Sequence, residues 1–349
     1  MVNKKKISAL LLSGAMLMNM SVSAFAMEKN VHNGTEEKPA TISVEKNLVM
    51  AEGISVPNTS FEFNVQKITA DAPELTITPI SYADSDDKGV VSDGKYNIKK
   101  KSELAFGNFP HAGEYKYTIT EKNTRIDGMT YDTESYTLTV QVTNGQVGNL
   151  YIQAITAENL EGLKPDAIKF TNTYRKDGSL IIEKKTTGDL ADRTKEFNFE
   201  ITFTKSATEG EGESTYTGKI GDQIVSVKVG ETKTFKLKHG QSLEFDNLPA
   251  GTKYTVKEVG ANDGYTAHVR VTENGVQAEK VSATAENADL VVNNKLVGEN
   301  DNKVEFENEF NETPITGIIT NNLPFLLMIS VAVAGFGILA LVKRRKIVR

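Results

Sequence analysis

The chain lacks several residue types that exported proteins or enzymes commonly use. It has no cysteine and no tryptophan, and only four of its 349 residues are histidine. The absence of cysteine excludes disulfides, which an exported chain of this size could use. The histidines are scattered and show no metal-ligand spacing, and no phosphate-binding loop or Ser/His/Asp set stands out. We therefore expect no metal, no cofactor and no catalytic turnover on other molecules.

Apolar runs stand at both ends of the chain. Near the N-terminus, three lysines at 4–6 precede the apolar run 7–18, and Ala-Phe-Ala follows at 24–26. This order is typical of a secretory signal peptide, so we expect residues 1–26 to be removed. The mature chain, 27–316, would have 290 residues, which suits two ordinary domains.

The C-terminal end combines a short motif, an apolar run and a basic cluster. The motif consists of Thr313, Pro314, Ile315, Thr316 and Gly317. The run 323–342 is long enough to cross a bilayer as a helix, and the basic residues 343–346 would remain on the cytoplasmic side. Pro314 favours an extended backbone around the motif, which would present it just outside the membrane. A simple single-pass anchor is the alternative interpretation.

In this order, residues 312–349 resemble the cell-wall sorting signal of Gram-positive surface proteins. The motif is similar to the family pattern Leu-Pro-X-Thr-Gly, with Thr313 in place of Leu. The resemblance implies that a sortase, a membrane-bound cysteine transpeptidase, cuts between Thr316 and Gly317 and passes the Thr316 carbonyl to an amine. It also implies a secreted protein that becomes attached to peptidoglycan in the cell wall.

The charge of the mature chain is more negative than the total suggests. The two removed ends carry eight basic residues and no acidic ones, so the formal charge of −6 becomes −14. A charge of this sign argues against nucleic acid or an anionic membrane surface as the partner.

The mature chain repeats itself once. The matching segments are 42–46 with 180–184, 61–65 with 197–201, 117–121 with 254–258, and 168–172 with 304–308. They alternate apolar and polar residues and are rich in β-branched and aromatic types, which is typical of short half-buried strands. We predict an all-β chain of two tandem immunoglobulin-like, antiparallel β-sandwich domains, at 40–175 and 176–311, after a flexible segment at 27–39.

Each domain has three polar residues in phase with its apolar face. They are Lys46, Glu121 and Asn172 in the first domain, and Lys184, Glu258 and Asn308 in the second. Strand phase favours Lys184 over its neighbour Lys185. Burying a charged Lys or Glu without compensation is costly. A structural Lys–Glu pair with Asn as a hydrogen-bond partner is one explanation, and a shared reaction is another.

The whole mature chain resembles the two-domain major pilins of streptococci, whose modules resemble the CnaB fold. The resemblance implies an isopeptide bond in each domain, formed by the chain itself between a Lys on the first strand and an Asn on the last, with a Glu as promoter. Carried onto this sequence, Lys46 bonds to Asn172 with Glu121 as promoter, and Lys184 bonds to Asn308 with Glu258 as promoter.

The resemblance also implies covalent polymerisation, in which the Thr316 carbonyl of one subunit joins a lysine of the next. Many relatives carry that lysine in a Tyr-Pro-Lys-Asn motif, which this chain lacks. In the two-domain streptococcal type, the lysine lies shortly before the last strand of the first domain, and its counterpart here is Lys164. The implied partners are a sortase, other copies of the chain, peptidoglycan, and minor or tip pilins. A monomeric wall-anchored adhesin or minor pilin, and an exported enzyme, are the alternatives to a major structural pilin.

Overall fold

The structure, a computed structural model, describes residues 30–146, 148–283, 285 and 288–310. Within these ranges the chain forms strands, turns and loops but no helix, which confirms the predicted all-β class. It follows that no described segment is an apolar helix able to span a membrane. The predicted signal peptide, sorting motif and helix at 323–342 lie outside the described residues. The chain divides into two compact units, composed mainly of residues up to Gly178 and mainly of residues from Ser179.

The described part of the first domain contains twelve strands, six of which have five residues or fewer. In chain order they are β1 (His32–Asn33), β2 (Ser43–Ala51), β3 (Thr59–Phe61), β4 (Phe63–Lys67), β5 (Leu75–Ile77), β6 (Ile80–Tyr82), β7 (Lys95–Phe106), β8 (Gly113–Glu121), β9 (Met129–Thr130), β10 (Ser135–Asn144), β11 (Leu150–Glu158) and β12 (Ile168–Tyr174).

Two five-stranded sheets and a small ribbon make up the first domain. One sheet has the order β1-β11-β10-β8-β4, the other β5-β7-β2-β12-β9, and β3 pairs with β6. Alternate residues of β8, namely Tyr115, Tyr117 and Ile119, are fully buried. This period-two burial is the pattern expected when one face of a strand packs against the core.

The segment before the first domain differs from the predicted flexible stretch. His32 and Asn33 form β1, which pairs antiparallel with Ile155 and Ala154 of β11. The Ala40 backbone N–H also donates to the Ile152 carbonyl at 2.9 Å. The open edge of β11 supplies these partners, and a polar sequence is compatible with an edge strand because its side chains remain near solvent.

The second domain contains the remaining strands. They are β13 (Asp177–Thr187), β14 (Phe197–Thr204), β15 (Thr215–Ile220), β16 (Gln223–Lys228), β17 (Lys233–Leu237), β18 (Ser242–Pro249), β19 (Lys253–Val259), β20 (Tyr265–Glu273), β21 (Val276–Gln277), β22 (Val281–Ser282), β23 (Leu290–Leu296) and β24 (Lys303–Phe310).

The sheets of the second domain are unequal. The larger has the order β16-β15-β18-β13-β24-β20-β21, with β22 also pairing with β20, and the smaller has the order β17-β14-β19-β23. The buried core is rich in phenylalanine, and Phe199 contacts both Phe235 and Phe306, with ring centroids 5.3 and 5.2 Å apart. Both domains therefore contain two main sheets, but the strands are divided equally between them in the first domain and unequally in the second.

In each domain the first long strand pairs in parallel with the last. Along β2 and β12, Lys46 lies opposite Phe170 and Leu48 lies opposite Asn172. Along β13 and β24, Lys184 lies opposite Phe306 and Thr186 lies opposite Asn308. The sequence predicts antiparallel sheets, and most pairings are antiparallel. The parallel pairing is possible because the rest of each domain forms the long connection that parallel strands require.

Candidate functional site

The first domain brings its three predicted polar residues together in the core. Lys46 on β2 and Asn172 on β12 belong to adjacent strands of one sheet, and Glu121 ends β8 in the other sheet. Lys46 and Asn172 have no exposed surface, and the Glu121 side chain is equally inaccessible. Strand alternation explains the placement, because each residue continues the inward-facing series of its own strand.

The Glu121 carboxylate bridges the amine and the amide. The Lys46 Nζ donates to Glu121 Oε2 at 2.8 Å, and the Asn172 Nδ2 donates to Glu121 Oε1 at 2.8 Å. The Asn172 Oδ1 accepts a hydrogen bond from the backbone N–H of Asp132, also at 2.8 Å. The Phe61 ring covers the amine, with its centroid 4.7 Å from Nζ. Every polar group of the cluster thus has a partner within a mostly apolar surrounding.

Burial moves the two ionisable groups of this cluster toward their neutral forms. It lowers the pKa of Lys46 to about 8, although the Glu121 carboxylate acts in the opposite direction. Burial also raises the pKa of Glu121, partly offset by Lys46. Desolvation penalises the charged form of each group. A neutral amine and a protonated acid therefore become accessible to the pair, and a neutral amine is a nucleophile.

The second domain repeats the cluster with Lys184, Glu258 and Asn308, all with no exposed surface. Glu258 Oε1 lies 2.9 Å from the Lys184 Nζ and accepts a hydrogen bond from the Asn308 Nδ2 at 2.9 Å. The Lys184 Nζ also donates directly to Asn308 Oδ1. The Asn308 Nδ2 donates in addition to the Ala261 carbonyl at 2.7 Å. The amine therefore contacts the amide group itself.

The electrostatics of this second cluster have the same direction. Burial lowers the pKa of Lys184 to about 8, opposed by Glu258, and burial raises the pKa of Glu258, opposed by Lys184. Among the described residues, Glu258 Oε2 is buried without a hydrogen-bond partner, an environment that favours a protonated carboxyl. The Phe197 ring centroid lies 4.0 Å from the Lys184 Nζ. Lys185 is exposed, so strand phase distinguishes the two adjacent lysines.

Each cluster can perform one specific kind of chemistry. An amine, a carboxamide and a carboxyl group are held together by folding, which replaces a bimolecular encounter. The carboxyl group contacts both reacting partners and can therefore transfer a proton between them. The same contacts would also serve a structural ion pair with a hydrogen-bonded Asn, which would form no covalent bond and release no ammonia.

Lys164, the predicted acceptor, lies at a separate place in the first domain. It is in the loop between β11 and β12, its side chain is 30% exposed, and its Nζ is 3.8 Å from Glu158 Oε2. It lines a cavity of about 1000 Å³, together with two other lysines, Lys101 and Lys169. Asn159 organises the loop by accepting the Leu163 backbone N–H at 2.9 Å. The lysine is thus accessible on an ordered loop.

Three residues near the clusters do not follow from the sequence pattern. Asp132 contributes a backbone N–H to Asn172, and Phe61 covers the Lys46 amine. In the second domain, the Lys195 Nζ lies 5.3 Å from the Phe197 ring centroid and 4.7 Å from that of Tyr265. The repeated segments contain Phe61 and Phe197 but do not connect either ring to a lysine, and Tyr265 lies outside them. Asp132 and Lys195 lie outside the alternating strands.

Comparison with known families separates the two domains. Residues 42–175 match the family described as the Spy0128-like isopeptide containing domain. Residues 178–310 match a domain of unknown function, DUF7601. The first domain is therefore similar to that family, and the first match ends and the second begins close to the boundary between the two compact units.

One relative is similar over nearly the whole chain, and a second over part of it. A pilin of Streptococcus pyogenes serotype M1 is 27% identical over 95% of this chain and 97% of its own length. The pilus tip adhesin Cpa of Streptococcus pyogenes is 37% identical over 41% of this chain and 18% of its own length. A solved Streptococcus pyogenes major pilin, T3.2, has 25% identity and a TM-score of 0.38, covering 81% of this chain and 100% of that one. The match to the Spy0128-like family and the similarity to the Streptococcus pyogenes pilin confirm the predicted resemblance to streptococcal pilins and support a pilus subunit.

Proposed function

We propose that the chain is the major structural subunit of a Gram-positive surface pilus, polymerised by a sortase and stabilised by one self-formed isopeptide bond in each domain. The observation that carries the proposal is the duplication of a buried Lys–Glu–Asn cluster at the same strand register. Lys46 and Asn172 are offset by two positions on β2 and β12, and Lys184 and Asn308 have the same offset on β13 and β24.

The proposed bond forms by amide exchange. The neutral lysine Nζ attacks the Asn Cγ, a new C–N bond forms, and the bond from Cγ to Nδ2 breaks so that ammonia leaves. The glutamic acid hydrogen-bonds the amide and passes a proton from the attacking amine to the leaving nitrogen. The reaction happens once in each domain. It needs no cofactor, because amine and carboxamide yield an isopeptide and ammonia in balance.

The intact mass of the folded mature protein tests this step. We expect a mass lower than the sequence requires by two ammonia units. Glu121→Ala and Glu258→Ala should each restore one unit, because each removes the proton-transferring group from one domain. The full unmodified mass in the wild-type protein would refute the crosslinks and leave the buried clusters as structural ion pairs.

For polymerisation, we propose that Thr316 supplies the carbonyl and Lys164 the amine of the next subunit. The accessibility of Lys164 on its loop and its position in a cavity support this assignment. A sortase must bring an acyl group to the amine, which a lysine in an open cavity permits. Attachment of the last subunit to peptidoglycan would follow from transfer of the same Thr316 carbonyl to a wall amine.

A ladder of high-mass species in denaturing gels of cell-wall extracts tests the polymer. We expect the ladder in cells that carry the wild-type chain and the cognate sortase, and its loss in Lys164→Ala. Lys101→Ala and Lys169→Ala are matched controls, because both lysines line the same cavity, and they should leave the ladder intact. A ladder that persists in Lys164→Ala would show that another lysine is the acceptor.

A monomeric wall-anchored adhesin or minor pilin is the second candidate, favoured by the 37% identity with the tip adhesin. That similarity covers only 18% of the adhesin, whereas the similarity with the pilin covers 97% of the pilin. The near-complete coverage of the pilin supports the first candidate, the major structural subunit of the pilus. A wall extract that contained only the monomer, or one copy attached to another pilin, would favour the second candidate.

The proposed junctions define a path for tension along the polymer. Force would enter a subunit at Lys164 and leave at Thr316, so the second domain would lie wholly between the two junctions. The Lys184–Asn308 bond would then connect the first and last strands of the loaded domain directly. Peptide mass spectrometry of the intersubunit junction tests this path, and a junction at an N-terminal lysine would contradict it.

A further inference from the structure

Asp132 holds its own backbone in a defined orientation beside the first cluster. Its Oδ2 accepts the backbone N–H of Thr171 at 2.6 Å, and its Oδ1 accepts the backbone N–H of Glu134 at 2.8 Å. Thr171 immediately precedes Asn172 on β12. The carboxylate thus fastens the start of the β9–β10 connection to the strand that carries the reacting amide. In that arrangement the Asp132 N–H points at Asn172 Oδ1, 2.8 Å away.

We propose that Asp132 is a positioning residue for isopeptide formation in the first domain, through the backbone N–H that it aims at the Asn172 carboxamide oxygen. This inference rests on the proposed self-crosslinking. When the Lys46 Nζ bonds to Cγ, the C=O electron pair moves onto Oδ1, which becomes negatively charged. A donor already fixed at this oxygen stabilises that charge without reorganisation. The C=O bond re-forms as ammonia leaves, and the N–H remains in place throughout.

In the second domain a different group donates a hydrogen bond to the carboxamide oxygen. There Asn308 Oδ1 accepts a hydrogen bond from the Lys184 Nζ, the nitrogen that has to attack Cγ. A donor that is also the nucleophile must reorient before it can react, whereas the Asp132 N–H is independent of the nucleophile. The contribution of Asp132 is therefore confined to the first domain. Formation of the second bond in the same molecule provides an internal reference.

The experiment compares the rates of the two bonds in Asp132→Ala. The full mature chain is made by cell-free translation, chased for increasing times, quenched in denaturant and digested. The crosslinked peptides containing Lys46–Asn172 and Lys184–Asn308 are then quantified. We expect the first bond to form about tenfold to hundredfold more slowly, since one donor to a developing oxyanion contributes a factor of about 10²–10³ and the variant misdirects the donor without deleting it. The second bond should keep its rate.

Two further variants separate positioning from a merely structural role. Asp132→Asn retains one carbonyl oxygen that can accept a backbone N–H, so it should recover part of the lost rate. Thr133→Ala changes an exposed neighbour and should have no effect. Urea unfolding of Asp132→Ala in the uncrosslinked Glu121→Ala background shows whether the first domain still folds.

The outcomes divide clearly. A first-domain rate within twofold of wild type in Asp132→Ala would overturn the inference. So would a slower rate that is accompanied by unfolding of the first domain and is not recovered in Asp132→Asn. A selective slowing in a folded domain, partly recovered by Asn, would support it. If neither bond formed in the wild-type chain, the proposed function itself would fail, which the second-domain peptide reports independently.

Discussion

The two clusters share a framework but differ in the charged residue that stands beside them. In both domains a lysine and an asparagine occupy the same parallel register, and a phenylalanine ring covers the amine. In the first domain the neighbour is the Asp132 carboxylate, which raises the pKa of Glu121 in addition to the dominant effect of burial. In the second, the Lys195 ammonium lowers the pKa of Lys184 beyond the effect of burial, opposed by the Glu307 carboxylate as well as by Glu258.

This difference shows which parts of the cluster the proposed chemistry requires. Burial, the bridging carboxyl group and the strand register are common to both domains, so we infer that they are the minimum. The neighbouring charge and the donor to the amide oxygen differ between domains, so they adjust the rate and pH dependence. The duplication therefore serves as a natural control, because any variant of one cluster can be compared with the other in the same chain.

The largest expected effect comes from preventing one bond at a time. The proposed bonds span 126 residues in the first domain (172 minus 46) and 124 in the second. Closing a loop of this length contributes about 5 kcal/mol in the chain-entropy model. Glu121→Gln should destabilise only the first domain by about that amount, and Glu258→Gln only the second. Differential scanning calorimetry should show one transition lowered by roughly 10–20 °C, since 1 kcal/mol corresponds to several degrees in domains of this size.

Glu114→Ala is the matched control for the first domain, because Glu114 is exposed on the same strand β8 and pairs with Lys116 at 2.8 Å. An exposed pair of this kind contributes at most about 1 kcal/mol. If Glu121→Gln and Glu114→Ala lowered the unfolding transition of the first domain equally, the effect of Glu121→Gln could not be assigned to the loss of the Lys46–Asn172 bond.

A smaller, pH-dependent effect should follow from removing one amine. In Lys184→Met, Glu258 is buried without its cation, so its folded pKa lies above the unfolded value of 4.5. The folded state then binds the additional proton, and the free energy of unfolding decreases as pH rises above about 4.5, by up to about 1.4 kcal/mol per pH unit until the folded pKa is reached. Urea unfolding of the second domain between pH 5 and 8 measures the slope.

The double variant Lys184→Met/Glu258→Gln should abolish this slope, because it lacks the titrating carboxyl group. Lys46→Met should show the same dependence in the first domain, extended to higher pH because Asp132 raises the pKa of Glu121 further. A stability that increased with pH in either single variant would contradict the assignment of a protonated buried acid.

The smallest expected effect concerns the pH dependence of bond formation. Each Lys–Glu pair is reactive with one shared proton, so the rate should be level near neutrality and fall on the alkaline side as that proton is lost. Burial sets the lysine pKa near 8 in both domains. Because Lys195 lowers the pKa of Lys184 further, Lys195→Gln should move the alkaline fall of the second bond to higher pH. Pulse–chase rates across pH measure it.

Lys219→Gln is the control, because Lys219 is exposed on β15 and should leave the profile unchanged. The first bond should also keep its profile in Lys195→Gln, since that lysine belongs to the second domain. A shift of the second profile to lower pH would contradict the effect assigned to the Lys195 charge.

Much of the framework could be predicted because strand alternation has a strict period. Lys46 is in phase with Val44 and Leu48, so a strand assignment is enough to place its side chain inside. Asp132 could not be found in this way, because it lies in a connection and acts through its backbone. Lys195 is near its cluster through the rings of Phe197 and Tyr265, which belong to different strands. Such contacts depend on three-dimensional packing and produce no periodic pattern in the sequence.

Two further features could not be predicted from the sequence, namely the division of strands between sheets and the edge strand β1. Alternation gives the inward face of a strand but not its neighbours, so the unequal sheets of the second domain and the equal sheets of the first look alike in sequence. His32 and Asn33 have a polar sequence without alternation, and only the free edge of β11 makes them a strand.

The parallel pairing of β13 with β24 has a mechanical consequence. Parallel strands point the same way, so the start of β13 and the end of β24 lie at opposite ends of the shared ladder. A pull on these two ends slides one strand lengthwise past the other and loads the ladder in shear, so that its hydrogen bonds resist together instead of opening one after another like a zipper. A covalent bond between Lys184 and Asn308 would span this seam. This covalent bond would carry the load and prevent the two strands from sliding apart before the hydrogen bonds between them break.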